Sequence, residues 1–332
     1  MKKEKHVNPV NVKPVMKAYP EGSFILSIFT AEDDRFWPWL FSDYVYAIYN
    51  TTDHRYAFYA YNIFRVEEGL VTRHIIEVAK DLTYCEDATL NMILSMLRHG
   101  HYLTCWMNER YIPNRGSYQQ QDFDHNNLIY GFDTTDQTFY ILGYSGTGQY
   151  VSTTIRFQEF LDSMHYNSQP MVTLDFIKPN EEFEAAFDKN RLKTQIQNYL
   201  ISAPPAALGY PEIIFTSSDW IQGIAATQAL IGTVELYAKN GVDMRASCFL
   251  RDRTYFMYLR IQYLMDHHIL EPNPEILEAF KRIYQYAERV HMLSMKFQLT
   301  GKMALLDLMK KYITDIVADE KKYLTIVLDE LA

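Results

Sequence analysis

The chain has 332 residues, 48% of them hydrophobic and 22% charged, which describes folded protein of one large or two intimate domains and excludes a disordered chain. Lys and Arg number 32 against 41 Asp and Glu, a formal charge of −9, so an acidic surface argues against nucleic acid as a partner. Three widely spaced cysteines (Cys85, Cys105, Cys248) make neither a disulfide framework nor a Cys-x-x-Cys zinc site, and a cytoplasmic setting fits them.

Taken in order, the chain opens on basic residues (Lys2, Lys3, Lys5, Lys13, Lys17) with no apolar stretch behind them, so no signal peptide is expected. Residues 23–30 (SFILSIFT) form a short apolar run, read here as a buried strand, and an acidic turn follows at Glu32-Asp33-Asp34. Pro38 stands where a helix can begin, with Trp39, Leu40, Tyr44, Ala47 and Ile48 at helical spacing. Residues 55–62 and 70–78 are rich in aromatic and β-branched side chains and predict strands. A helix is predicted over 86–98, stopped by Gly100. Strands are then predicted at 102–107, 127–131, 138–142 and 149–156, with a hairpin turn at residues 133–136, a short helix at 157–164 and a strand at 171–176.

Near Pro179 the periodicity becomes helical and stays so, which predicts a first domain over 1–179 and a helical one over 180–332, packed together without a flexible linker. A helix capped by Ser217 or Ser218 should run from Trp220 to Asn240, and the next from 244 to 270. Asn273-Pro274-Glu275 is a cap, a first-turn proline and a first-turn acid, opening a helix that ends at Gly301; a last helix starts near Lys302. The most apolar stretch, 223–238, is too short for a bilayer of ~20 residues, so no membrane partner is expected.

The chain lacks a Gly-x-x-x-x-Gly-Lys loop, Gly-x-Gly-x-x-Gly, His-Glu-x-x-His and Gly-x-Ser-x-Gly. No metal site is expected: adjacent His267 and His268 diverge by about a hundred degrees on a helix, and His99 suits a helix end. Cys105 reads as an inert buried thiol. Residues 100–164 stand out. A loop carrying Gln119-Gln120-Gln121 and Asp124 delivers His125 to the start of a core strand, a suitable mount for a general base. The strand continues Ile129-Tyr130-Gly131-Phe132-Asp133 into the hairpin.

This succession of a Gly before a strand, a His opening the next, then Tyr-Gly-x-Asp before a hairpin, resembles the papain-like, peptidase C39-like group that includes the N-terminal domain of the butirosin biosynthesis protein H family. The likeness covers residues 94–164, and residues 243–264 look like the helical tail of stand-alone members found with thiotemplate pathways. The resemblance implies an α+β, papain-like fold with a helical C-terminal lobe. It implies a cytoplasmic acyltransferase of nonribosomal peptide-like biosynthesis that joins a carrier-protein-bound acyl thioester to a small-molecule amine, through an acyl-enzyme. No cofactor is implied beyond the phosphopantetheine arm that carries the substrate. The implied catalytic set is a nucleophile at Ser27, where the group has Cys, with His125 as its base. Asp133 or Asp136, or a backbone carbonyl, would orient the ring; the family's own Asp or Asn should fall at residues 141–143, which carry no polar side chain. Glu21 stands where the group has an oxyanion-hole Gln. Trp39, Trp106 and Tyr144 are the expected substrate-lining residues. Two other functions fit the same fold: a non-catalytic module that holds a carrier protein or product, and a peptidase or transglutaminase-like enzyme.

Overall fold

In residues 102–156 every predicted strand forms, because alternate side chains there are apolar on both faces and turn residues separate the runs. A computed structural model describes residues 3–31, 34–43, 45–58, 69–79, 86–203 and 219–331, without the side chain of Glu21. In chain order the elements are β1 (Lys5–Val7), α1 (Pro20–Phe29), α2 (Trp37–Phe41), β2 (Ala47–Asn50), β3 (Tyr56–Phe58), β4 (Val71–Ala79), α3 (Glu86–Arg98), β5 (Tyr102–Asn108), β6 (Asp124–Asp133) and β7 (Thr138–Tyr144). They continue as β8 (Tyr150–Arg156), α4 (Phe157–His165), β9 (Met171–Pro179), α5 (Lys189–Ile201), β10 (Trp220–Gln222), α6 (Gly223–Asn240), α7 (Met244–Asp266), α8 (Pro274–Thr300) and α9 (Ala304–Glu330). The class is α+β.

The chain divides into two units. The first takes Met1–Pro14, Ser23–Asp34 and Ile63–Glu184, the second Val15–Gly22, Arg35–Asn62 and Ala185–Ala332. The second unit therefore draws in two early segments that periodicity assigns to the first.

In the first unit seven strands form one antiparallel sheet in the order β4-β9-β5-β6-β7-β8, with β1 against β6. One face is covered by α3 and α4, through Ile93, Leu97, Phe160 and Met164 on Cys105, Ile129, Phe139 and Phe176. The other face receives Phe24 and Ile28 of α1 on Tyr102, Leu128, Tyr130 and Leu142. Gly131 explains the Tyr-Gly-x-Asp motif. A Cβ there would meet the His6 carbonyl oxygen at 2.6 Å and the Val7 Cα at 2.8 Å, so β1 can lie along β6 only where this residue lacks a side chain.

Residues 23–29 are helix, not strand. Ser23 to Phe29 are all buried, and a helix buried on every side has no exposed face by which periodicity could find it. The proline at its first position favours the helical start.

In the second unit β10, β2 and β3 form a small antiparallel sheet, and α5 to α9 supply the rest. The helix begun at Pro38 stops at Phe41, and Ala47 and Ile48, expected on it, lie in β2. Trp220 belongs to β10, so α6 starts three residues later than expected. Asn273 caps α8 as the sequence predicts, its Oδ1 accepting from the amides of Glu275 and Ile276. The Ser217 or Ser218 cap, Glu32, Asp33, Tyr44, Cys85 and the end of the 55–62 strand lie outside the described residues. Among the described residues no helix is long and apolar enough to cross a membrane.

Candidate functional site

His125 is the second residue of β6, and its neighbour β5 delivers an acid to it. The antiparallel register pairs Met107 with His125 and Asn108 with Asp124, so the residue after β5, Glu109, emerges beside the start of β6. Asn108 secures that corner. Its Oδ1 accepts from the amides of Arg110 (3.0 Å) and Phe123 (3.2 Å), and its Nδ2 donates to Asp122 Oδ1 (3.0 Å) and the Tyr166 carbonyl (2.9 Å). The Glu109 amide donates to the Phe123 carbonyl at 2.8 Å, closing the corner.

The Glu109 carboxylate then lies 3.0 Å from Nδ1 of His125. A carboxylate only accepts, so Nδ1 carries the ring proton and donates it, and Nε2 of the neutral ring presents a lone pair. Glu109 has 6% of its side-chain surface exposed and His125 25%: the acid is sealed and the base is reachable. Among the described residues Nε2 has no hydrogen-bond partner. Phe123 and Tyr144 flank the imidazole, with ring centroids 5.6 and 5.8 Å away.

Ser27 does not meet His125. It is fully buried in α1, and its Oγ shares a 2.9 Å hydrogen bond with the Tyr150 hydroxyl. Burial pushes the Tyr150 phenol well above its ordinary range, so neither partner of that bond ionises readily. Ser23, one turn earlier on α1, is also fully buried and is 2.8 Å from the hydroxyl of Tyr144. Ser23, rather than the expected Ser27, thus shares Tyr144 as a neighbour with the imidazole.

Asp133 does not orient the imidazole. It lies eight residues along the same strand, about 26 Å at ~3.3 Å per residue. Its Oδ1 instead accepts from the amides of Thr135 (2.9 Å) and Asp136 (3.4 Å), which makes it the hairpin's turn residue. Asp136 sits in that same turn. Of the expected substrate residues, Tyr144 stands beside His125, and Trp106 on β5 is 46% exposed in register with Asn126. Trp39 is buried in the core of the second unit. The side chain of Glu21 lies outside the described residues.

Neither of the two described cysteines offers a thiolate. Cys105 is buried and its thiol is pushed far up by desolvation, while burial lifts the Cys248 thiol to about 12. Among the described residues no group of three or more His, Cys, Asp or Glu could hold a metal.

Glu109 is the residue that sequence reasoning missed. Its signal is an acid two residues after one predicted strand, with the candidate base two residues before the next. Antiparallel neighbours joined by a loop bring those two positions together. Comparison with models of known protein families found no match to this chain, and comparison with curated proteins found none either.

Proposed function

We propose that this chain is an acyltransferase of papain-like architecture that forms an amide from an acyl thioester and an amine, with His125 as general base. The observation that carries this reading is the His125–Glu109 pair, a reachable imidazole whose proton is fixed on Nδ1 by a sealed carboxylate. A helix laid on an antiparallel sheet, with the histidine at a strand entrance, supports the papain-like part.

Ser27 is sealed and hydrogen-bonded, so the geometry favours direct transfer to the amine over an acyl-enzyme at that residue. The amine nitrogen adds to the thioester carbonyl as Nε2 takes its proton. The tetrahedral adduct then expels the thiol sulfur, which receives that proton back, and the amide leaves. A thioester is already activated, so the reaction requires no nucleotide. A carrier protein presenting the acyl group on its phosphopantetheine arm is the natural donor.

The test uses an acyl-pantetheine thioester and an amine. The native chain should form the amide, and His125→Ala should lose on the order of 10²–10⁴ in rate. Intact mass should show no adduct on Ser27. Full rate in His125→Ala would overturn the assignment. A second reading has one observation in its favour: among the described residues, no hydroxyl or thiol hydrogen-bonds to His125. A module that holds a carrier protein or product without turnover would bind the same thioester saturably and yield no amide.

A further inference from the structure

Arg115 has no role in the proton transfer described above, yet it is buried completely in the same corner. Its loop is clamped there. The Arg115 amide donates to the Ile112 carbonyl at 3.4 Å, Gly146 donates to the Asn114 carbonyl at 3.0 Å, and Gly116 packs on the backbone of Gly146 in the β7–β8 turn. The guanidinium has none of its side-chain surface exposed, and its Nε stands 3.8 Å from the Glu109 oxygen that faces His125. Its Nη2 donates to Asn127 Oδ1 at 3.1 Å, and Asn127 Nδ2 donates to the His125 carbonyl at 3.2 Å. The four residues close a ring: His125, Glu109, Arg115, Asn127 and back to the His125 backbone.

The Arg115 side chain is costly to bury. Its Nε and Nη1 have no hydrogen-bond partner, although both are buried. Unpaired buried donors are destabilising, and an apolar side chain of similar volume commonly serves packing as well or better. Burial accordingly draws the guanidinium below its ordinary range, with the Glu109 charge opposing. What the arginine supplies is positive charge beside one particular carboxylate. Gly143 makes the space for it: a Cβ there would meet Asn127 Oδ1 at 2.5 Å and Arg115 Nη2 at 2.6 Å. Where the resembled family is expected to place a polar orienting side chain on this strand, this chain has none and fills the space with Arg115 and Asn127.

We infer that Arg115 is a positioning residue: its charge holds the Glu109 carboxylate against Nδ1, and through Glu109 it fixes the proton of His125 there. Without it, nothing buried behind Glu109 holds its Oε1 3.0 Å from Nδ1, and once that acceptor moves away the ring is free to carry its proton on Nε2, where the base is blocked. The inference rests on the reading of His125 as a general base, but its test reads the imidazole alone.

Side-chain ¹⁵N NMR of the full chain reports the tautomer, with the His125 signals assigned by their absence in His125→Gln. The native chain and Arg115→Lys should both show the Nδ1–H form. Arg115→Met should lose it and show the Nε2–H form. Gly143→Ala, which alters no charge but must push the guanidinium aside, should do the same. It covers the case in which Arg115→Met fails to fold, and backbone amide spectra of each variant report folding. If folded Arg115→Met or Gly143→Ala keeps the native Nδ1–H signal, the inference is wrong, whatever the activity. If the tautomer inverts but no amide is formed by the native chain, the positioning role stands and the acyl-transfer reading falls.

Discussion

The two units each bury a cluster of charged and hydroxyl side chains, and the clusters differ in one respect that decides their use. In the second unit Arg253 and Glu320 pair at 2.7 Å with no side-chain exposure on either. Tyr199 donates to the other Glu320 oxygen at 2.6 Å, and Thr227 joins Tyr199 (2.9 Å) and Tyr56 (2.7 Å) to the group. Five elements, β3, α5, α6, α7 and α9, meet at that point, and no atom of the ion pair touches water. The cluster in the first unit has the same ingredients, a carboxylate and a guanidinium, but ends in an imidazole with a quarter of its surface open. A sealed pair can only hold elements together. A pair that ends in a reachable base can move a proton.

The largest expected effect is on the sealed side. Glu320→Ala should cost about 3–5 kcal/mol, because the Arg253 charge is left uncompensated in the core. His125→Ala should cost only about 1 kcal/mol, since water reaches Glu109 through the space the ring leaves. Urea unfolding of the two variants measures both. Equal losses would erase the distinction between a structural and a working cluster.

A pH series sharpens the same contrast. His291 on α8, 3.1 Å from Ser247 Oγ, is held down to about 4 by burial first and then by the Arg251 charge. A histidine depressed in the folded state favours folding only while neutral. Its contribution is therefore complete above its ordinary value of 6.5 and is lost as the pH falls toward 4. The side chain is only partly enclosed, so the loss should be on the order of 1–2 kcal/mol. His291→Gln should flatten stability between pH 6.5 and pH 4 relative to the native chain. A native profile that stays flat over that range would contradict the burial of His291.

Legibility in the sequence followed the same divide between local and long-range causes. The strands of residues 102–156 and the Asn273 cap could be read because alternation and capping are decided within a few residues. The α1 helix could not, since burial on every side, its two serines included, leaves no exposed face to set a period. Nor could β2 and β10, three or four residues each, whose strand form comes from pairing with one another across the chain. The placement of segments 15–22 and 35–62 in the second unit is likewise a matter of distant contacts. At the site His125 was legible from its strand-entry position. Glu109 could be placed only through the pairing of the two strands that flank it, and Arg115 could not be placed, because it belongs to the irregular stretch between β5 and β6, where no periodicity assigns a partner.

The smallest effect belongs to Ser27, and it separates the candidate nucleophile from the candidate base. Ser27→Ala removes a buried hydroxyl whose partner, Tyr150, is left without its hydrogen bond. That should cost about 1 kcal/mol of stability. Tyr150→Phe should cost a similar amount, and the double variant should cost less than the sum, because the second change removes a polar group that the first has already orphaned. The rate of amide formation should be the same in Ser27→Ala as in the native chain, since proton transfer at His125 Nε2 does not pass through residue 27. Single-turnover assays of Ser27→Ala and His125→Ala, run beside the stability measurements, decide the point. A rate loss in Ser27→Ala as large as that in His125→Ala would mean that α1 opens during turnover and that the acyl group does pass through this serine. Direct transfer to the amine would then be wrong, while the His125–Glu109 pair would keep its role as the base.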